Sequence, residues 1–527
     1  MPAHTKTQRV HIQLSRVQTW LFAVPRLRAM VGANALIGET LRRELPGLAR
    51  TIGRGWALST NHESLPVAYL AIPSDPLHEH DDPADDAKCG IVSRDGGHFE
   101  ALFASGAEAF AEAASELLRS KLPELRFRIT IDGAPCLRSQ VHVSTELPVL
   151  SPCEWTGRGL ASTHIKQGED LPAVSLDVEQ RHEAARCAEE GTAVDTASLL
   201  SAKTKLRKLR RAQELKDLVG REERGEPRDR PEADADRAGS GYLALIHADG
   251  NGVGVGLGKD KSDGERAAFF HRVRVLLRCA TKKAIDEHCP DQGQAPLIPL
   301  MLGGDDLLLV ARAEIALPFV VTLCNELEAL QRGTSDFVLT LGVGVVFAKY
   351  TIPIHRLHEV AEQLASSAKR RFRGFKDDEP KRSVVDWAVF TSAWIDSPED
   401  VRRRDWLRGS GEHLHVLSQR PIDVVGEGPL DTLQGLVREA EKLTGAPRSQ
   451  LRYLVEQLSR GRALSELAFA ELAPEAKGAL DEVGVKVVND LWRPAGKAWI
   501  TPLLDLVEIA EIRRLGSSNE REEAVRV

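Results

Sequence analysis

No stretch of the sequence approaches the roughly 18 consecutive apolar residues of a membrane-spanning helix, so length alone argues against a transmembrane segment. The opening residues, Met1 to Leu14, carry neither the apolar core nor the small-residue cleavage site of a secretory signal, and the expected location is the cytoplasm. Paired cysteines are missing as well. The seven present (Cys89, Cys136, Cys153, Cys187, Cys279, Cys289 and Cys324) are scattered and never spaced Cys-x-x-Cys. Reduced, structural thiols are expected rather than a disulfide framework. Nor is positive charge in excess: 70 Lys and Arg face 77 Asp and Glu, for a net charge of −7. That balance argues against a dominant polyanion-binding surface while leaving local basic patches available to RNA.

What is present fits a globular chain with several cores. Charged residues at 28% and hydrophobic residues at 42% are ordinary for a folded protein. At 527 residues the chain is too long for one core and suggests about three or four domains.

Residues 1–135 read as one unit. A strand at Arg9–Leu14 precedes a helix over Arg28–Leu45, strands at Leu65–Ile72 and His98–Phe103, a helix over Ala107–Leu122 and a strand at Leu125–Ile131. This β-α-β-β-α-β order is the ferredoxin-like split unit, an antiparallel sheet with helices on one face. Residues 136–240 form a charged connector. Its basic run Lys203–Arg211 is expected as a solvated helix and the part around Pro227–Asp236 as a linker.

Residues 241–395 repeat the first pattern with a strand at Tyr242–Ala248, a helix over Arg266–His288, a hairpin, a helix over Glu314–Gln331 and a strand at Phe337–Phe347. A helix over Ile354–Arg371 and a strand at Val384–Phe390 follow. Residues 396–527 are expected to be helical, with helices at Leu433–Leu443, Ser449–Leu464 and Ala476–Leu491. The fold class is therefore α+β with two ferredoxin-like domains.

At the hairpin tip lies Gly303-Gly304-Asp305-Asp306, between the apolar runs Leu297–Leu302 and Leu307–Ala311. Glycines allow a tight turn with positive φ and leave the backbone bare for a polyphosphate. Adjacent carboxylates there repel unless a cation offsets them, and Mg²⁺ favours one or two carboxylates plus phosphate oxygens. The same tetrapeptide is also ordinary turn chemistry. Asp249 tips the balance, because it ends the strand that lies centrally in this fold beside the hairpin. Asp249, Asp305 and Asp306 are thus expected to converge, with Gly250, Asn251 and Gly252 leading into a helix whose start can cradle a triphosphate. Two metal ions so held can activate a ribose hydroxyl and stabilise leaving pyrophosphate.

The strings Leu245–Gly254, Leu302–Val310, Leu339–Tyr350 and Ala361–Arg370, in that order, resemble the second palm domain of the large polymerase-like subunit of type III CRISPR effector complexes. Residues 1–135 resemble its degenerate first palm. The resemblance implies an enzyme that polymerises ATP into cyclic oligoadenylate, a second messenger made when foreign RNA is detected. It implies Mg²⁺ or Mn²⁺ as cofactor, two ions held by Asp249, Gly250, Asp305 and Asp306. It also implies nucleotide contacts at Gly250, Asn251, Gly252, Gly303, Gly304 and Lys369. Implied partners are ATP or another nucleoside triphosphate, CRISPR effector subunits, and guide or target RNA.

Four departures accompany the resemblance. Asn251 stands where the family usually has a second acidic residue. The turn at Asp95-Gly96-Gly97 keeps the glycine pair of the first palm without following carboxylates, and is expected to seat an acceptor nucleotide. The family's zinc cysteines are missing as a set around Cys153, and no structural zinc is expected. The family's N-terminal nuclease domain is also expected to be missing, since His80-Asp81 sits in a polar, Pro-containing segment. Two other readings share the hairpin: a GGDEF-like cyclic dinucleotide synthase, and a nucleotide- or RNA-binding scaffold subunit without catalysis.

Overall fold

The computed structural model describes residues 7–51, 55–59, 74–77, 89–138, 151–157, 159–166, 170–219, 241–257, 263–333, 337–376, 379–390, 397–409 and 414–524. The expected strand at 65–72, the segment around His80-Asp81 and the linker at 227–236 lie outside the described residues.

In the first unit, strand β1 (Gln8–Ser15) alternates strictly, turning Val10, Ile12 and Leu14 into the core. It lies between β3 (His98–Ser105) and β4 (Arg126–Ile131), antiparallel to both, with the short β2 (Ile91–Ser93) paired outside β3. Helices α1 (Leu27–Glu39) and α2 (Ala107–Lys121) complete the unit, and Phe110 of α2 sits 4.7 Å, ring centre to ring centre, from Phe103. The helix that begins with α1 widens into a π-turn over Thr40–Glu44 before continuing as Leu45–Arg50. Such turns redirect side chains at functional sites; here the residue redirected is Arg42.

The connector departs from expectation. Helix α3 (Leu176–Glu189) crosses α1 at Gly32, where an added Cβ would stand 1.8 Å from the Arg181 carbonyl oxygen. Helix α4 (Thr196–Ala202) starts at Asp195, whose side chain accepts from the Ser198 amide, and stops before the basic run. That run is not a solvated helix. Leu206 and Leu209 are buried, and between them the chain makes only a 3₁₀ turn over Lys205–Lys208. The Lys205 amide donates to Asp286 at 2.9 Å and Arg210 to Gln294 at 2.7 Å, so the second unit holds the run in place.

The second unit is built on β5 (Tyr242–Gly250), fully buried from Leu243 to Ala248. After α5 (Asp263–His288) come the hairpin strands β6 (Leu297–Gly303) and β7 (Asp306–Arg312), then α6 (Ala313–Leu330), β8 (Leu341–Lys349), α7 (Ile354–Arg373) and β9 (Val384–Phe390). The sheet runs β6-β7-β5-β8-β9, with β7 and β8 antiparallel to β5 and β9 parallel to β8. Both units therefore place their first strand between their third and fourth. This is the ferredoxin-like order.

The last third is helical, but not purely so. Helices α8 (Leu433–Lys442), α9 (Arg448–Leu458), α10 (Arg462–Glu471), α11 (Pro474–Glu482) and α12 (Leu503–Ala524) accompany a four-stranded sheet of two- and three-residue strands. The expected helix over Ser449–Leu464 is split at Gly461, whose φ of 106° no helical residue adopts. The expected helix over Ala476–Leu491 ends at Glu482, two residues before Gly484 with φ 86°. No described helix is long and apolar enough to cross a membrane.

Candidate metal and nucleotide site

Strand register brings the three carboxylates together. Asp306, the first residue of β7, is the cross-strand partner of Asp249 near the end of β5, and Gly303 closes the hairpin opposite Asp306. Among the described residues, Asp249, Asp305 and Asp306 form the one cluster whose carboxylate oxygens all lie within 4.8 Å of one another. The turn folds because Gly304 takes φ +25° with nothing within 4 Å of where a Cβ would stand. Gly250 has the opposite surroundings: a Cβ there would lie 2.8 Å from Cβ and 2.9 Å from Oδ2 of Asp305. Its amide donates to the Asp305 carbonyl at 3.1 Å, so strand end and turn are locked backbone to backbone.

Burial pushes the Asp306 carboxyl well above its ordinary range, and the Asp249 and Asp305 charges push it the same way. Asp305 is raised by burial first and then by Asp249. A cluster in which ionisation is this unfavourable is relieved by a cation or a proton, and oxygen donors at this spacing suit a hard divalent ion. The Lys369 ammonium supplies part of the missing charge by pairing with Asp249. It reaches there because α7 presses onto glycines of β8. A Cβ on Gly342 would lie 2.6 Å from Cγ of Lys369, and one on Gly344 would lie 2.1 Å from the Ala361 carbonyl oxygen. The Gly-Val-Gly spacing in Leu339–Phe347 is what permits this close approach.

Asn251 turns its side-chain amide toward β8. It is 1% exposed, its side-chain amide donates to the Thr340 hydroxyl at 3.1 Å, and its backbone amide donates to the Thr340 carbonyl at 2.8 Å. The residue that replaces the family's second acid is thus a strut between β5 and the chain entering β8. Nothing in the sequence had marked Thr340. Gly252 turns with φ +66° into the short helix Val253–Leu257.

The glycine turn of the first unit faces this site. Gly96 and Gly97 have φ of 61° and 77°, and a Cβ on Gly303 would lie 3.9 Å from the Gly96 Cα. Behind the two turns runs a narrow crevice lined by Arg42, Thr196, Arg274, Arg278, Leu302, Gly303 and Gly304.

Residues 242–377 match the family model described as Cas10/Cmr2, second palm domain. The chain carries a Cas10-like palm domain, and its two ferredoxin-like units are palms. Among solved structures, it is similar to Csm1 of T. onnurineus at 13% identity and TM-score 0.43, covering 96% of this chain and 69% of that one. A Csm1-Csm4 cassette in complex with cA4 aligns at 12% identity and TM-score 0.41, and one in complex with AMPPNP at 14% and 0.41, each covering 96% of this chain and 70% of the other. No curated protein matches.

Proposed function

We propose that the protein is a metal-dependent nucleotidyltransferase that joins ATP into a cyclic oligoadenylate and works as a palm-domain subunit of a CRISPR effector complex. The observation that carries this reading is the Asp249, Asp305 and Asp306 cluster, gathered within 4.8 Å at a two-glycine turn in a Cas10-like palm. Bound Mg²⁺ or Mn²⁺ would supply Lewis-acid charge to the attacking hydroxyl and the leaving pyrophosphate.

The chain's own residues divide the remaining work. Asp249, Asp305 and Asp306 would hold the ions, with Gly250 at the strand end beside them. Gly303 and Gly304 leave the turn bare, so a triphosphate can approach the backbone. Gly252 and Asn251 shape the start of the short helix beyond Asp249, Asn251 through its hold on Thr340. Lys369, which pairs with Asp249 beside the cluster, places its ammonium to contact the triphosphate. Asp95-Gly96-Gly97, across the gap, seats the acceptor nucleotide.

Incubation of the purified protein with each of the four nucleoside triphosphates and Mg²⁺ or Mn²⁺, alone and with effector subunits and target RNA, tests the reading by mass spectrometry of products. Oligoadenylate with pyrophosphate release is expected from ATP. A guanine dinucleotide would instead select the GGDEF-like chemistry, and no phosphodiester product under any condition would leave a binding scaffold. Activity that survived an Asp305→Ala, Asp306→Ala double substitution would overturn the residue assignment.

A further inference from the structure

The acidic residue of the first palm's turn takes no part in the carboxylate cluster, yet it is the most heavily paired group in its neighbourhood. Asp95 accepts from Arg42 through Oδ1 and from Arg274 through Oδ2. Arg42 belongs to the π-turn of the first palm, whereas Arg274 lies on α5 of the second. All three side chains are at most 13% exposed. Burial alone would raise the Asp95 carboxyl, but the guanidinium groups of Arg42, Arg274, Arg278 and Arg94 outweigh it and hold the carboxyl below its usual range. One helical turn after Arg274, Arg278 pairs with Asp75 of the first unit at 2.7 Å, the two side chains being 1% and 4% exposed. Residues four apart on a helix share a face. That face of α5 is thus gripped twice by carboxylates of the first unit.

Buried ion networks contribute little net stability compared with apolar packing, and their best-attested use is to fix register. The register fixed here is that of the two glycine turns. Asp95 immediately precedes Gly96, which lies against Gly303. The Asp95 carbonyl also accepts from the His98 amide at 3.0 Å, and the Gly97 carbonyl accepts from the Leu14 amide at 2.8 Å, so the turn moves as a piece with β1 and β3.

We propose that Asp95 is a positioning residue. Its carboxylate, shared between Arg42 and Arg274, sets the separation of the two palm turns and hence the placement of an acceptor nucleotide relative to the Asp249, Asp305 and Asp306 centre. The consequence for synthesis rests on the function proposed above; the clamp between the palms does not.

Asp95→Asn in the full-length protein keeps the size and turn chemistry of the side chain while removing its charge. Hydrogen exchange should quicken about 10-fold at the Leu14 and His98 amides and, on the other side of the gap, at the Gly250 amide that donates to the Asp305 carbonyl. Mn²⁺ affinity should be unchanged. In synthesis of the first dinucleotide, kcat should fall about 100-fold, the cost of misplacing reactants by about 1 Å, with KM for ATP little changed. Arg274→Gln should reproduce the pattern from the other end of the clamp if Asp95→Asn does not fold.

Asp75→Asn breaks the neighbouring pair and should lower thermal stability without quickening exchange at the turns. Equal effects on the turns from Asp75→Asn, or exchange confined to residues beside position 95, would overturn the assignment. Should the native protein make no product, the functional reading fails while the exchange measurement still decides the clamp.

Discussion

At Asp306, function and stability pull in opposite directions. Its carboxyl is half-buried beside two others, so the metal-free protein carries a repulsion that only a cation or a proton removes. Asp306→Asn should therefore raise the thermal midpoint in EDTA by about 2–4 °C. The same substitution should abolish the gain in midpoint that the native protein shows in Mg²⁺, and should lower nucleotidyl transfer by about 1,000-fold. Differential scanning fluorimetry with and without metal reads the first two effects. A midpoint lowered in EDTA would mean the carboxylate is structural. Gly250 offers a complementary test. A methyl group there would enter the space of the Asp305 side chain, 2.8 Å away. Gly250→Ala should weaken Mn²⁺ binding at least about 10-fold, for a stability cost near 1 kcal/mol, as followed by paramagnetic resonance and by denaturant melts.

At the scale of elements, the helix α7 carries a second buried oddity. His358 packs 4.6 Å from the Phe22 ring of the first palm and 5.6 Å from His247 of β5, with Glu362 one turn along at 3.9 Å from its Nδ1. Burial first, and His247 second, push its pKa from 6.5 down to about 3. The unfolded chain therefore binds a proton at this site between pH 6.5 and about 3, while the folded chain does not. In that window the linkage slope is positive, and folding stability falls as pH falls. From pH 6.5 to 5 this histidine alone should cost about 2 kcal/mol. His358→Phe keeps the ring contact and should flatten that part of the profile, measured by urea melts at successive pH values. An unchanged slope would assign the acid sensitivity elsewhere.

The same elements show what the sequence could and could not reveal. The identities of β1, α2 and α7 followed from strict alternation in the strand and from the apolar spacing of the helices, because burial on one face leaves a period that residue types must obey. The convergence of Asp249 with Asp305 and Asp306 followed too, since the ferredoxin-like order leaves the first strand only one hairpin neighbour. Contacts that depend on one atom's absence or one side chain's reach were hidden. Thr340 under Asn251, Gly342 under Lys369 and Asp95 between two arginines carry no periodicity, and the four-stranded sheet near the C-terminus uses strands too short to print a pattern.

Over the whole molecule, one arginine ties the C-terminal helices to the second palm. The Arg420 side chain is fully buried and pairs with Asp505 at 2.8 Å and Glu508 at 2.7 Å, both on α12. It also donates to the Trp387 carbonyl of β9 at 3.0 Å and lies over the rings of Trp387 and Trp406, at 4.4 and 4.3 Å. Trp387 closes the loop by donating its indole N–H to Glu508 at 2.9 Å. Removing the cation would strand Asp505, which is already raised by burial against the pull of Arg420, inside an apolar shell. Arg420→Ala should therefore cost about 3–5 kcal/mol. The loss falls on the junction, where α8 and α12 pack on α6 as well as on each other. We expect calorimetry of the variant to show an early transition from the C-terminal third, with the palm transition and Mn²⁺ affinity retained. Arg420→Met, which restores bulk without charge, should leave the early transition in place, because the stranded carboxylate and not the lost volume is what weakens the joint. Recovery of a single transition by methionine would show that packing alone holds the C-terminal helices to the palm.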